Sequence, residues 1–485
     1  MFVLYKESIV LDIGLDNLFT TIVGILYVGA VVTTMVVVVL DNRNPVKTLS
    51  WVLILAFLPL VGLILYYFFG KDTRKEKLIS KKGYRRLTKY PMAEYQQQQS
   101  SHKIEEQFQL AHFFRRVNGA LSFGGNDIQI YEAGTEFIID LLKAIASAKH
   151  HIHMEFYIFE DDALGRLVRD ALIDKAKEGV KVRFLYDDVG NWKLSNEFVD
   201  QMRSEGIEVC SFLKVPVPLL SNRVNYRNHR KVVVIDGRIG FVGGMNIALR
   251  YLKGMPWGIW KDMHIKLTGK AVYGLQTVFL TDWLVDQTLI TSSRYFPEMG
   301  ECGNSLVQIV TSDPVGEWQD IMQGLLIAIT SAKRYFYIQT PYLLPTEPIL
   351  WALKTAALAG VDVRIMIPLR PDSRITHLGS LSYLSELMEA GIKIYLYQKG
   401  FLHSKMMVSD DVLSTVGSTN MDFRSFEHNF EVNAFMYDSA TALRLKEVFL
   451  QDQKDAFLLS IKTWKKRPWY QKVSESFIRL FAPLL

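Results

Sequence analysis

The sequence predicts an α/β protein of two duplicated halves, their mixed or parallel sheets packed by helices, preceded by a two-helix transmembrane hairpin. Three observations carry this expectation: two long uncharged apolar runs near the N-terminus, an internal repeat at a near-constant offset, and a polar motif that occurs once in each half. At about 150 residues per domain, 485 residues imply roughly three units and exclude a single small domain. Hydrophobic residues make up 49% and charged residues 22%, a balance that opposes disorder. The two cysteines, Cys210 and Cys302, are too few for a disulfide framework or a four-thiolate metal site.

Residues 17–40 and 48–70 hold no charge, and each run can cross a hydrocarbon core of about 30 Å at about 1.5 Å per residue. Asn44-Pro45 between them is a turn signal, which makes the pair a helical hairpin. A cleaved signal peptide does not fit, because the first run is long, lacks a basic leader and is followed by a second run. Pro59 and Gly62 are tolerated inside membrane helices, and Trp51, Tyr66 and Tyr67 lie near the ends, where amphipathic rings favour the interface. Residues 71–90 then carry nine basic and two acidic side chains. Such a cluster holds its end of a span in the cytoplasm, so the large C-terminal body is expected there, beside anionic headgroups. Gln96 to Gln99 belong to a polar linker.

The formal charge of +6 invites a nucleic-acid reading, but its distribution argues otherwise. Residues 71–90 contribute +7 and residues 461–485 contribute +5, which leaves −6 for the rest. Anionic lipid is therefore the expected partner, not nucleic acid. In the C-terminal segment Trp469, Val473, Phe477, Phe481 and Leu484 recur at spacings of three or four, the pattern of a basic amphipathic helix that either docks on the body or meets a membrane.

Between these edges the chain repeats. Leu141 to Lys149 resembles Leu325 to Lys333, Gly179 to Arg183 resembles Gly360 to Arg364, and Gly206 to Val209 resembles Gly391 to Ile394, at offsets of 184, 181 and 185. Helical runs alternate with short β-branched runs, which implies parallel strands covered by helices. The two halves are expected to face one another. The domain plan is a membrane hairpin over 1–70, a basic juxtamembrane segment and linker over 71–119, a first half over 120–300, a second half over 301–460, and the basic segment 461–485.

Each half contains H-x-K-x-x-x-x-D followed by G-[GS]-x-N: His229, Lys231, Asp236 and Asn246 in the first, His403, Lys405, Asp410 and Asn420 in the second. On a strand, residues i and i+2 share a face, so each histidine and its lysine project together. An imidazole beside an ammonium suits attack on a phosphodiester, with the lysine offsetting phosphate charge. Two such sites give a nucleophile on one side of phosphorus and an acid for the leaving oxygen on the other. Asp236 and Asp410 complete the catalytic motif but have the opposite strand parity, which makes them turn or orienting residues. Asn246 and Asn420 are candidate amide donors to phosphate oxygens. Asp262 in the first half and Glu431 in the second are candidate orienting carboxylates for an imidazole Nδ1 proton, with Asp422, Arg424, Ser425 and Asn429 nearby. His150, His151 and His153 cluster, but no third ligand type is spaced to complete a metal site.

These motifs resemble the phospholipase D superfamily and, within it, the bacterial cardiolipin synthases. The resemblance extends to Asn44-Pro45, Thr340-Pro341-Tyr342, the run Asn420 to Ser425 and the final Pro483-Leu484-Leu485. It implies metal-free and cofactor-free transphosphatidylation, in which two phosphatidylglycerol molecules give cardiolipin and glycerol. It further implies a phosphatidyl-histidine on His229, with His403 moving protons. Ile247 to Leu252 departs from the acidic residues that related synthases often carry before the Tyr-Leu pair, which bears on headgroup preference. A hydrolase of the same superfamily is the competing reading, since water and glycerol hydroxyls are similar acceptors. A non-catalytic scaffold would require a broken motif, and both are intact. The sequence sets no oligomeric state.

Overall fold

The computed structural model describes residues 2–40, 45–70, 108–215, 222–285, 290 and 292–485. They fall into two compact units, one of residues 1–72 with 218–225 and the other containing the rest of the chain.

In the N-terminal unit the helix Phe2–Leu40 contains Thr20–Leu40, 21 residues of mean hydropathy 2.6, long and apolar enough to cross a membrane. The second apolar run is not one uninterrupted helix. It divides into Pro45–Phe57, Pro59–Leu65 and a π-helical turn Tyr66–Gly70. The reason is Pro59, which has no N–H to give and drives Leu58 out of the helical region to φ −133°. At about 1.5 Å per residue, neither piece alone reaches across a core of about 30 Å. Val38, Leu55 and Tyr66 are buried together, so the first helix packs against the broken second run. The expected turn at 41–44 and the basic cluster at 71–90 lie outside the described residues.

The larger unit is organised around one mixed sheet. The first half supplies β1 (Ser122–Tyr131), β2 (His151–Phe156), β3 (Lys181–Asp187), β4 (Glu208–Phe212), β5 (Lys231–Ile235), β6 (Ile239–Gly243) and β7 (His264–Thr268). The second repeats the plan with β8 (Ser305–Ser312), β9 (Tyr335–Gln339), β10 (Asp362–Pro368), β11 (Lys393–Tyr397), β12 (Met406–Ser409), β13 (Leu413–Gly417) and β14 (Asn429–Met436), and adds β15 (Ala456–Leu458) at its edge. In each half three strands run parallel, β2-β3-β4 and β9-β10-β11, and the motif strand beside them is antiparallel.

The two halves face one another, their inner strands packing on a common apolar core. They are also joined through hydrogen bonds, because β1 pairs antiparallel with β8 and the strand order continues from one half into the other. Val307, Ile309, Val432 and Ala434 then share a core with Val232, Val242 and Ile265, so apolar packing crosses the junction. Residues 108–119, expected as linker, include the helix Gln109–Val117, whose Phe114 is fully buried against Phe435 with ring centroids 4.6 Å apart. Gln308 fixes this helix and the start of β1 by donating to the carbonyls of Ala111 and Ala120.

Candidate active site

His229 and His403 do not lie on their strands. Each sits in extended chain just before one, at Lys231–Ile235 and Met406–Ser409, and after a short strand, Arg227–Asn228 or Gly400–Leu402. These lead-in strands pair in parallel with the opposite half: Arg227–Asn228 with the start of β14, and Gly400–Leu402 with Ile259–Lys261. The His229 N–H accordingly donates to the Phe430 carbonyl at 2.9 Å, and the His403 N–H to the Lys261 carbonyl at 2.7 Å. The residue after each acceptor is a carboxylate, and it meets the imidazole. His229 Nδ1 lies 3.0 and 3.1 Å from the two oxygens of Glu431, and His403 Nδ1 lies 2.5 Å from Asp262 Oδ2. Each half therefore orients the other half's histidine.

The carboxylates are themselves held. Ser418 donates to Glu431, and the Met263 N–H donates to Asp262 at 2.8 Å. Gly244, the first-half counterpart of Ser418, has no Cβ because one would stand 2.1 Å from Asp262 Oδ1. Burial opposes ionisation of both acids, yet Lys405 and His403 beside Asp262, and His229 and Lys231 beside Glu431, hold them below the ordinary carboxylate range. Burial lowers both imidazoles to about 4, against the opposing pull of Glu431 and Asp262, so both are neutral at pH 7. Neutral rings with Nδ1 protons on carboxylates leave Nε2 as the basic atom.

Both rings line one cavity of about 480 Å³, together with Tyr157, Tyr251, Tyr342, Asn246, Asn420, Arg227, Arg250 and Arg424. Lys231 and Lys405 are buried, each Nζ donating to its own histidine's carbonyl. Burial lowers their pKa values to about 7 and about 8. The Asn246 amide is engaged at both ends, receiving the Ile158 N–H and donating to Tyr251 Oη, which ties it to the cavity wall. Asn420 Oδ1 is buried without a partner among the described residues. Asp422 caps the short helix Phe423–Glu427 through the Ser425 N–H, and burial raises its pKa to about 6.

Asp236 and Asp410 stand apart from the cavity. Each adopts φ 54° in the turn after its strand, and its carboxylate accepts three backbone N–H groups, those of Lys149, His150 and His151 or of Lys333, Arg334 and Tyr335. They clamp the start of β2 and β9 and touch no group of the site. In the cluster His150, His151 and His153, His151 meets His150 through Nδ1 and Gln276 through Nε2, and His153 meets Gln276 and Arg183, so the ring nitrogens of His151 and His153 are engaged by these neighbours.

Two imidazole–carboxylate pairs exchanged between duplicated halves and opening on one cavity are what sequence comparison then accounts for. The family described as "Cardiolipin synthase, PLD-like domain" matches residues 141–255 and 325–453, and "Phospholipase_D-nuclease N-terminal" matches residues 25–71. The chain is 40% identical over 473 residues to a protein of Alkalihalophilus pseudofirmus named cardiolipin synthase, covering 95% of this chain and 93% of that one. The chain belongs to the cardiolipin synthase family.

The Bacillus subtilis protein named major cardiolipin synthase is 38% identical over 481 residues, covering 97% of this chain and all of its own. The crystal structure of a Haemophilus influenzae phosphatidylserine synthase superposes with a TM-score of 0.58 at 15% identity, covering 78% of this chain and 98% of that one, which attests the shared fold. Within this family member, sequence patterns did not single out Tyr157, Arg227 or Asp187. Asp187, at the end of β3, receives Arg227 at 3.2 Å and the Asn228 N–H at 2.8 Å, and so fixes the lead-in to His229. Its signal in the sequence is only an acid ending a hydrophobic run. Tyr157 follows β2 and places its ring 4.9 Å from that of His229.

Proposed function

We propose that this chain makes cardiolipin by transferring a phosphatidyl group from one phosphatidylglycerol to the glycerol hydroxyl of another, from the cytoplasmic side of a membrane that it crosses twice. The observation that carries the reading is the pair of neutral imidazoles, each held at Nδ1 by a carboxylate of the other half and both facing one cavity. His229 Nε2 attacks phosphorus and the bond to the first glycerol oxygen breaks. His403 gives that oxygen a proton, the diester's negative charge having favoured protonation of the ring, and glycerol leaves. His403 Nε2 then removes the proton from the second lipid's hydroxyl, whose oxygen attacks the phosphatidyl-histidine and releases His229. Lys231 and Lys405 supply positive charge next to their histidines, and Arg227 and Arg424 supply it at the cavity wall. Asn420 is suited to a phosphate oxygen or a headgroup hydroxyl. The twofold crossing rests on the apolar helix Thr20–Leu40 together with the packed, broken second run, and the cytoplasmic body on the basic cluster that follows.

The test is turnover of labelled phosphatidylglycerol by the purified chain in mixed micelles. Cardiolipin and free glycerol in equal amounts are expected, and accumulation of phosphatidic acid instead would establish a hydrolase. Proteolysis in sealed inverted vesicles should degrade the body; protection would place it on the opposite side.

A further inference from the structure

Residues 461–485 fold as the helices Ile461–Lys465 and Trp469–Arg479 and a final turn Ala482–Leu484, lying along the helix Arg374–Glu389. On the helix Trp469–Arg479 the side that docks is mainly polar. Glu475 is buried and pairs with Arg467 at 2.7 Å, while Arg479 bonds Glu386 at 2.6 Å and covers the Tyr383 ring. The apolar part of the docking comes from Trp464 and Ala482, which join the core beneath, and from Ile478 and Leu485, which close over Gly379.

The side left outward is apolar. Trp469, Val473, Phe477, Leu480 and Leu484 follow at spacings of three and four on one face, and Trp469, Phe477 and Leu480 are 75%, 58% and 74% exposed. Folding a helix with its charges inward and its aromatic row outward is unfavourable in water unless something apolar covers that row. Charge selects the cover. Lys462 and Lys466 are exposed beside the row with no ion pair among the described residues, and the segment carries +5, which opposes stacking against a second copy and favours an anionic lipid surface. The row also lies beside the cavity's own wall. Leu485 and Thr376 line the cavity that holds His229 and His403, and Ile375, the next residue along, is 53% exposed.

We propose that the helix Trp469–Arg479 and the turn after it form an interfacial plane seated on an anionic bilayer, with the aromatic row among acyl chains and the flanking lysines at headgroups. This plane brings the cavity mouth to the leaflet from which lipid enters. The inference rests on the lipid-substrate reading above and names the surface that presents the site to its substrate.

The full chain reconstituted in phosphatidylglycerol vesicles, carrying Cys302→Ser and Val473→Cys with an environment-sensitive fluorophore, reads the contact directly, since Cys210 is buried. Quenching by lipids bearing a nitroxide on the acyl chain is expected. A label that stays unquenched, or one that is blue-shifted without quenching because protein covers it, overturns the proposal. The double variant Phe477→Asp, Leu480→Asp should lower turnover of long-chain lipid roughly ten-fold or more while changing that of dispersed dihexanoyl-phosphatidylglycerol less than about two-fold. Phe477→Leu with Leu480→Ile should restore the long-chain rate. An equal loss with both substrates, or no loss, would overturn the assignment. Quenching by a chain that makes no cardiolipin from either substrate would instead remove the reading on which the inference rests.

Discussion

The first half completes its motif with an aspartate packed against a glycine; the second uses a glutamate, one methylene longer, that receives a serine hydroxyl. Asp262 lies where a Cβ on Gly244 would collide, and Glu431 is met by Ser418 at the equivalent position. The two solutions reach the same result, an imidazole with its Nδ1 proton held. Neither half reaches it alone, because each carboxylate serves the opposite histidine. The imidazole–carboxylate pairs exist only in the joined halves, and the parallel pairing of Arg227–Asn228 with Asn429–Phe430 and of Gly400–Leu402 with Ile259–Lys261 is what aligns their members.

The largest expected effects break the comparison outright. His229→Ala and His403→Ala should each reduce kcat by about 10⁴-fold or more, since groups that act as a unit fail together. A variant that kept near-normal turnover would show that its half is dispensable. Asp262→Asn and Glu431→Gln should cost about 10²- to 10⁴-fold by favouring the wrong tautomer. The crossed geometry predicts more: in ¹⁵N-histidine spectra Asp262→Asn should move the titration of His403 and leave that of His229 in place, with Glu431→Gln doing the reverse. A shift of the same-half ring would contradict the exchange.

The pH profile sharpens the contrast between the lysines. Both histidines are lowered to about 4 and are neutral above it, while Lys231 and Lys405, at about 7 and about 8, lose their charge as pH rises. Rate should therefore rise through about pH 4 to 5 as His229 becomes neutral and decline at higher pH, as the substrate-bound His403 loses the proton it must give and, from about pH 7, as Lys231 and then Lys405 titrate. For stability the sign is opposite to that of a group stabilised by its charge. Between about pH 4 and 6.5 the unfolded histidines bind protons that the folded ones do not, so stability increases with pH across that window. A melting temperature that fell from pH 4.5 to 6.5 would refute the buried neutral rings.

The repeat and both motifs were legible because each half writes them as a local pattern of fixed spacing. The exchange of carboxylates was not, because it depends on Arg227–Asn228 lying beside Asn429–Phe430, residues about two hundred apart in the chain with no pattern linking them. Asp262 and Glu431 were recognisable as candidates, but the ring each would hold was not. Asn246 was marked by the motif as a candidate amide donor, but the motif did not foretell that its Oδ1 receives the Ile158 N–H and that its Nδ2 donates to Tyr251 Oη at the cavity wall. The break at Pro59 was visible as a missing N–H, and its tolerance in membrane helices masked it. In the C-terminal segment the periodicity was plain, but the docking side was decided by ion pairs to Glu386 and within the segment itself.

The smallest effects on turnover should come from the motif aspartates, where the halves differ just beyond the shared clamp. Asp236→Ala and Asp410→Ala each remove a carboxylate that three backbone N–H groups share, which should cost about 2 kcal/mol of stability with little change in kcat at temperatures where the fold persists. In the second half Asp411 follows at φ 62° and pairs with Arg334 at 2.7 Å and Lys446 at 2.8 Å, whereas Gly237 and Arg238 follow in the first. Arg334 also donates to the Asp410 carbonyl, so the second turn keeps an ionic tie that the first lacks once its aspartate is gone. Denaturant unfolding should therefore find Asp236→Ala the more damaging of the two, by an amount within the range of about 0.2–1 kcal/mol typical of exposed ion pairs. Equal losses would show that Asp411 contributes nothing to the turn, and a large loss of kcat in either variant at full folding would place these carboxylates in the chemistry rather than beneath it.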